Sequence, residues 1–340
     1  MRRALCSVLA MILAAPAMAQ ALDDSAKGLF HAVCAAPEVT GEFSWSPDSK
    51  RLAFAVKSPS RNLRILTIEG MTVSRLDIGD MYGKPIWSPK DERIAVLAKA
   101  AQPGSPLQDL YIVSAKAGAP ARKIAAGLSY RSDPAWSPDG ATLLAATPDG
   151  AIVLIDPDTG GVTRLMDGLP GDDDSSRHFQ PFWVDAAHFA FAVEDAIYLF
   201  DIAQRTQTRL PLPSSVMLSL RPGAPDEYWY VDRQKDGSVL TVMRKGEPKV
   251  VSTFFGLKFD GPNAFGQVLT SGVTETYLID TNRGVISPLW PDPPEDVRYR
   301  NEYGAIWSPD HRRFAFNRIE GGGRRKQTDQ VCIGLPNASH

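Results

Sequence analysis

Cysteine and histidine are scarce in this chain, with three and five respectively among 340 residues. That excludes a disulfide-dense miniature scaffold and leaves little material for a Cys/His metal cluster. Charge of either sign is also unremarkable: 37 basic side chains face 39 acidic ones, for a formal charge of −2. A chain without a basic surplus is a poor match for nucleic acid or anionic lipid, and neither is expected as a partner. No Gly-x-Ser-x-Gly elbow of a serine hydrolase occurs anywhere in the sequence. Beyond the first twenty residues no apolar run approaches the roughly 20 residues that cross a bilayer, and no segment carries a long helical period. Glycine and proline, by contrast, are abundant at 27 each, enough to punctuate many short strands.

The amino terminus reads as a secretory signal. Arg2 and Arg3 form a positive start, Ala4 to Ala15 is a short apolar stretch, and Ala17-Met18-Ala19 offers small residues for cleavage after Ala19. Removing residues 1–19 leaves 35 basic and 39 acidic side chains, a formal charge of −4, in a chain starting at Gln20. The expected location is the periplasm. Of the cysteines only Cys34 and Cys332 then remain, and in an oxidising compartment one near each end suggests a single bridge, the alternative being two buried thiols.

One phrase recurs through the chain. "FSWSPDSKRLAFAV" begins at 43, "PIWSPKDERIAVLA" at 85, "PAWSPDGATLLAAT" at 134, "PFWVDAAHFAFAV" at 181 and "AIWSPDHRRFAFNR" at 305. Trp45, Trp87, Trp136, Trp183 and Trp307 are separated by 42, 49, 47 and 124 residues. The long last gap holds two eroded copies, at 218–232 and 257–272, which makes seven units. Each divides into four short strands with Pro-Asp-Gly-type turns between them, the chemistry of tight reversals. Seven such units predict an all-β chain: a seven-bladed β-propeller occupying residues 20–340 as one domain. Blades start near 42, 84, 133, 180, 216, 256 and 304. The tryptophan fills the wedge between blades, and the Ser-Pro-Asp after it is turn chemistry. The last unit lacks its fourth strand, and "GLFHAVCAAP" (28–37) is placed to supply it, which would set Cys34 beside Cys332 and remove an open edge.

The phrase "WSPDGATLLAAT…AIVLIDPDTGGVTRL" resembles the repeat of the TolB-type propellers, a family that includes propeller domains of prolyl-oligopeptidase-like enzymes. The resemblance is strong in units one, two, three and seven, fair in four and weak in five and six. It implies a periplasmic propeller. The family's namesake carries a separate α/β domain ahead of six blades, whereas only about 25 residues precede the first unit here and seven units follow. The peptidases carry their Ser-Asp-His triad on a hydrolase domain, and this chain has no counterpart to it.

Residues just ahead of each tryptophan should ring one mouth of the channel: Glu42, Lys84, Arg131, Asp133, Arg177, His178, Gln180, Lys258, Arg300, Glu302 and Tyr303. Mixed charge on a rigid scaffold suits recognition, although such positions are also polar simply because they are wet. Three long connections share that face. Residues 167–180 carry Asp172, Asp173 and Asp174, consecutive carboxylates without the spacing of a Ca²⁺ loop. Residues 288–304 read as a proline-rich arm, and 320–329 as a flexible basic loop with Arg324, Arg325 and Lys326. The leading functional expectation is a non-enzymatic exported protein that binds a protein, peptide or envelope component, as a monomer and without a cofactor. The alternative is a metal-dependent propeller enzyme acting on carbohydrate or lactone. Only His178 among the histidines falls at the mouth, so a metal site is not expected.

Overall fold

Apolar residues concentrate on the second strand of each repeat unit, and in the computed structural model these strands lie between two neighbours. Residues 23–337 are described, apart from 38, 57–61, 77, 79–80, 100–106, 117–118, 130–132, 168–180, 194–195, 236, 255, 257, 272–274, 292–296, 298 and 323–324. Seven four-stranded antiparallel sheets form, six of them built from consecutive strands. We number these blades 1 (39–76), 2 (81–129), 3 (135–166), 4 (182–213), 5 (221–254), 6 (258–288) and 7 (299–336, with 30–37). The molecule is therefore a seven-bladed β-propeller, completed by an amino-terminal strand.

Seven hydrophobic clusters hold the ring, one at each blade junction. Trp45, Leu52 and Phe54 of blade 1 pack with Ala315, Val331 and Ile333 of blade 7, and Trp136 and Leu143 of blade 3 with Leu97 and Leu110 of blade 2. The second strands Arg51–Val56, Arg93–Lys99 and Leu143–Ala146 are apolar and almost wholly buried, because each is covered on both faces. The outermost Thr72–Leu76 exposes four of its five residues, having a neighbour on one edge only. The five repeat tryptophans are 5–8 % exposed. Three tie the ring together: the indoles of Trp45, Trp136 and Trp183 donate to the carbonyls of Ile306, Ile86 and Ala135 in the preceding blade, at 3.3, 3.0 and 2.9 Å. Arg51 and Arg93 each stack on the tryptophan of the next blade, Trp87 and Trp136, at 5.1 Å.

The Ser-Pro-Asp turns are self-contained. Ser137 Oγ donates to Asp139 and accepts the N–H groups of Ala141 and Thr142 at 3.1 and 3.0 Å, and Ser46 and Ser308 make corresponding bonds. The fourth turn residue is left-handed in all three, at Ser49, Gly140 and His311. Only Gly140 adopts it without strain, and it also abuts the Lys90 side chain, 2.8 Å from where a Cβ would sit. Replacing Ser137 with alanine leaves the Thr142 N–H without its acceptor, while the Ala141 N–H keeps Asp139 Oδ1 at 3.0 Å. The expected cost is about 1–2 kcal/mol in urea unfolding, with no change in far-ultraviolet circular dichroism.

Closure is made by the strand Phe30–Pro37, which pairs antiparallel with Arg325–Pro336. Cys34 stands opposite Cys332 and the two are joined by a disulfide. The Phe30 ring packs edge-on against Phe314 at 5.1 Å and beside Trp307 at 6.2 Å. Blade 7 is longer than the repeat alone requires. Its second and third strands run Phe314–Gly322 and Arg325–Pro336, so most of the stretch read from sequence as a flexible loop is a hairpin. Leu289 and Trp290, at the start of the proline-rich segment, are 0 % and 6 % exposed. They are packed against Phe314 and Phe316 rather than free. No helix among the described residues is long and apolar enough to cross a membrane.

Candidate functional site

The innermost strands surround a central channel with a cavity of about 780 Å³. Register fixes which residue of each blade stands at the same depth. Ser44, Ile86, Ala135, Phe182, Arg221, Asp260 and Ile306 pair with equivalent positions of their second strands, and all seven line the cavity. Each directly precedes a wedge residue: tryptophan in five blades, Pro222 in blade 5 and Gly261 in blade 6. Five of the seven are uncharged. Arg221 and Asp260, on adjacent blades, carry opposite charges.

Both side chains are partly buried in the channel wall. Burial pushes the Asp260 carboxyl up from its ordinary value, an effect opposed by the Trp307 N–H and by the positive charges of Arg221 and Lys84. Burial likewise pulls the Arg221 guanidinium down, opposed by Asp260. Asp260 Oδ2 accepts the Trp307 N–H at 2.7 Å. Arg221 donates to the Leu220 carbonyl at 2.8 Å and lies 5.9 Å from the Phe259 ring centre.

The two mouths differ. At the top, where the innermost strands begin, Glu42, Lys84, Asp133 and Lys258 stand two residues ahead of the ring positions. Lys84 and Asp133 line the cavity, the first exposed and the second partly buried. Asp133 lies against Gly83, whose positive φ and lack of a side chain make room for it. Glu42 and Lys258 lie outside the cavity lining, Lys258 exposed. At the bottom, Pro89, Pro138 and Pro309 of the turns form a collar together with His311. The Ala264 N–H donates to His311 Nδ1 at 2.9 Å, so the neutral ring carries its proton on Nε2.

Other residues expected at the mouth are placed differently. Glu302 is fully buried. Its Oε1 accepts from Arg318 Nε and Nη2 at 3.0 and 2.8 Å. Arg300, with a side chain 7 % exposed, lies 3.5 Å from Glu302 and donates to the Pro291 carbonyl at 2.8 Å. Tyr303 is partly buried, and burial raises its hydroxyl pKa. Arg131, Arg177, His178 and Gln180 lie outside the described residues, as do Asp172, Asp173, Asp174 and Arg324. Sequence reasoning missed Arg221, Asp260 and the channel position of His311. The signal was available, since the residue immediately before each wedge position faces the axis. Among the described residues, no three His, Cys, Asp or Glu side chains gather as a metal would require.

Fold and channel together define the class: a seven-bladed propeller whose axial channel is lined by charges of both signs. No protein-family model and no curated protein matches the chain. Solved structures do. Oligogalacturonate lyase in complex with manganese superposes with a TM-score of 0.61 at 11 % identity, covering 91 % of each chain. An oligogalacturonate lyase from Vibrio parahaemolyticus gives 0.61 at 11 %, covering 92 % of this chain and 100 % of its own. TolB from Acinetobacter baumannii is matched at 16 % identity with a TM-score of 0.47, over 85 % of this chain and 64 % of its own. At such identities the two lyase superpositions show a shared fold and nothing further.

Proposed function

We propose that this chain is an exported, non-catalytic propeller that recognises a protein or peptide of the cell envelope at the top mouth of its channel. The observation that carries the reading is the cavity itself. It opens beside Lys84, on a strand, and Asp133, just ahead of one, charges of opposite sign on a rigid scaffold of the kind that presents a recognition surface. Arg131, Arg177, His178, Gln180, Glu42 and Lys258 extend that surface in our reading, and Arg300, Glu302 and Tyr303 support its rim from within blade 7. The signal-like residues 1–19 and the disulfide favour export and a periplasmic location.

A photo-activated cross-linker placed at position 84 should capture a defined envelope protein in living cells, at least about tenfold more than the same probe at Asp139 on the bottom face. Equal capture from both faces, or none from position 84, overturns the reading. Metal analysis of the purified protein bears on the same question. Stoichiometric Mn²⁺, Ca²⁺ or Zn²⁺ that disappears on His178→Ala would replace it with a metal-dependent enzyme acting on carbohydrate or lactone.

A further inference from the structure

We propose that the middle of the channel is a binding site for a small zwitterion, a ligand carrying an ammonium and a carboxylate close together on an apolar body, as an α-amino acid with a hydrocarbon side chain does. Ser44 and Asp260 occupy the same ring position in blades 1 and 6, and both accept the N–H of the wedge tryptophan in the following blade: Trp87 to Ser44 Oγ at 2.9 Å, Trp307 to Asp260 Oδ2 at 2.7 Å. A neutral hydroxyl therefore serves the fold as well as a carboxylate does. Placing a charge there costs desolvation that the ring does not require. Arg221 takes the ring position that Ala135 and Ile86 fill in blades 3 and 2, and it faces the opposite charge of Asp260.

Charge at two neighbouring positions, and at no other position of this ring, defines a polar sector. Arg221 suits a carboxylate and Asp260 an ammonium. A simple anion would meet Asp260 and a simple cation would meet Arg221, so each sign alone is disfavoured and a molecule bearing both is selected. Ile86 of blade 2, across the axis, and Phe182 of the neighbouring blade 4 offer hydrocarbon to an apolar side chain, below Lys84 and Asp133 at the mouth. The cavity of about 780 Å³ falls within the range of roughly 300–1,000 Å³ that small-molecule sites occupy. This site lies below the mouth assigned to a protein partner, and either reading can fail without the other.

The protein carries its own reporter, because five tryptophans border the cavity. Titration of the purified protein with L-leucine, N-acetyl-L-leucine and L-leucinamide, followed by tryptophan fluorescence and by calorimetry, tests the proposal. Saturable binding of L-leucine is expected. Acetylation removes the ammonium and amidation removes the carboxylate, so each derivative should bind about 10- to 100-fold more weakly. Arg221→Gln should abolish the preference for leucine over leucinamide and leave that over the acetylated form. Asp260→Asn should do the reverse. If either variant fails to fold, the three probes on the unaltered protein still decide. No saturable response to any of them up to roughly 10 mM, or equal affinity for all three, overturns the proposal. Cross-linking from position 84 is scored separately and reports only on the protein partner.

Discussion

Replacing Cys34 and Cys332 together with alanine is expected to lower the unfolding free energy by about 4–5 kcal/mol, the largest loss from any change that leaves the core packing intact. The bridge spans a separation of 298 residues. On the chain-entropy account a loop of about 100 residues is worth about 4.7 kcal/mol and each doubling adds about 0.6, which gives about 5.6 here; the expectation is set at the top of the observed range, about 4–5. Position matters as much as length. This is the one junction inside a blade where strands from opposite ends of the chain meet. The strand remains anchored without sulfur, through the ladder from Phe30 opposite Pro336 to Ala35 opposite Val331 and through Phe30 on Phe314. The double variant should therefore fold, with blade 7 opening first. Urea unfolding measures the loss, and hydrogen exchange should show protection falling in 30–37 and 325–336 before the other blades. A loss below about 1 kcal/mol, the size of an ordinary surface change, would mean that the strand pairing alone closes the ring.

Most of that architecture is written in repeated phrases. The tryptophan wedge and the Ser-Pro-Asp turn recur because every blade faces the same packing problem, and the missing last strand is visible as arithmetic. What stays hidden depends on partners far away in sequence. Units five and six read as eroded because Pro222 and Gly261 replace the wedge tryptophan, and these are the units whose channel positions carry Arg221 and Asp260. Residues 320–329 resemble a loop because glycine and clustered cations have low strand propensity. The hairpin persists through register, Ile319 opposite Asp329 and Glu320 opposite Thr328. Leu289 and Trp290 sit among prolines and look exposed, yet the wedge between blades 6 and 7 takes them in. Glu302 was legible only as a charge near a mouth. Its burial follows from Arg318, directly across the strand pair.

That buried carboxylate carries the second large expectation: Glu302→Ala should cost about 3–5 kcal/mol. Glu302 is 0 % exposed and its partners Arg318 and Arg300 are 14 % and 7 % exposed. Removing the carboxylate leaves the poorly hydrated Arg300 without its counter-charge and Arg318 with only Glu320, 3.7 Å away. It also frees the Thr276 N–H, which donates to Glu302 Oε2 at 3.3 Å and ties blade 6 to blade 7. Arg318 is held meanwhile over Trp290 and Phe316, at 5.3 and 5.2 Å, so it cannot swing into water without uncovering that wedge. Glu302→Gln keeps the shape and an acceptor for Thr276, so its cost should be well below that of alanine. The pH dependence separates charge from shape. Burial holds the Glu302 carboxyl above its ordinary value of 4.5, against the pull of Arg318 and Arg300. A folded pKa above the unfolded one means that the folded state keeps its proton longer. The stability due to this group is then full below about 4.5 and declines as pH rises through the folded pKa. Glutamine has no such step. Unfolding free energies measured across that window should therefore show wild type losing ground to Glu302→Gln as pH rises. Parallel curves would place the titration elsewhere, and an alanine variant within about 1 kcal/mol of wild type would show that the two arginines are stabilised without Glu302.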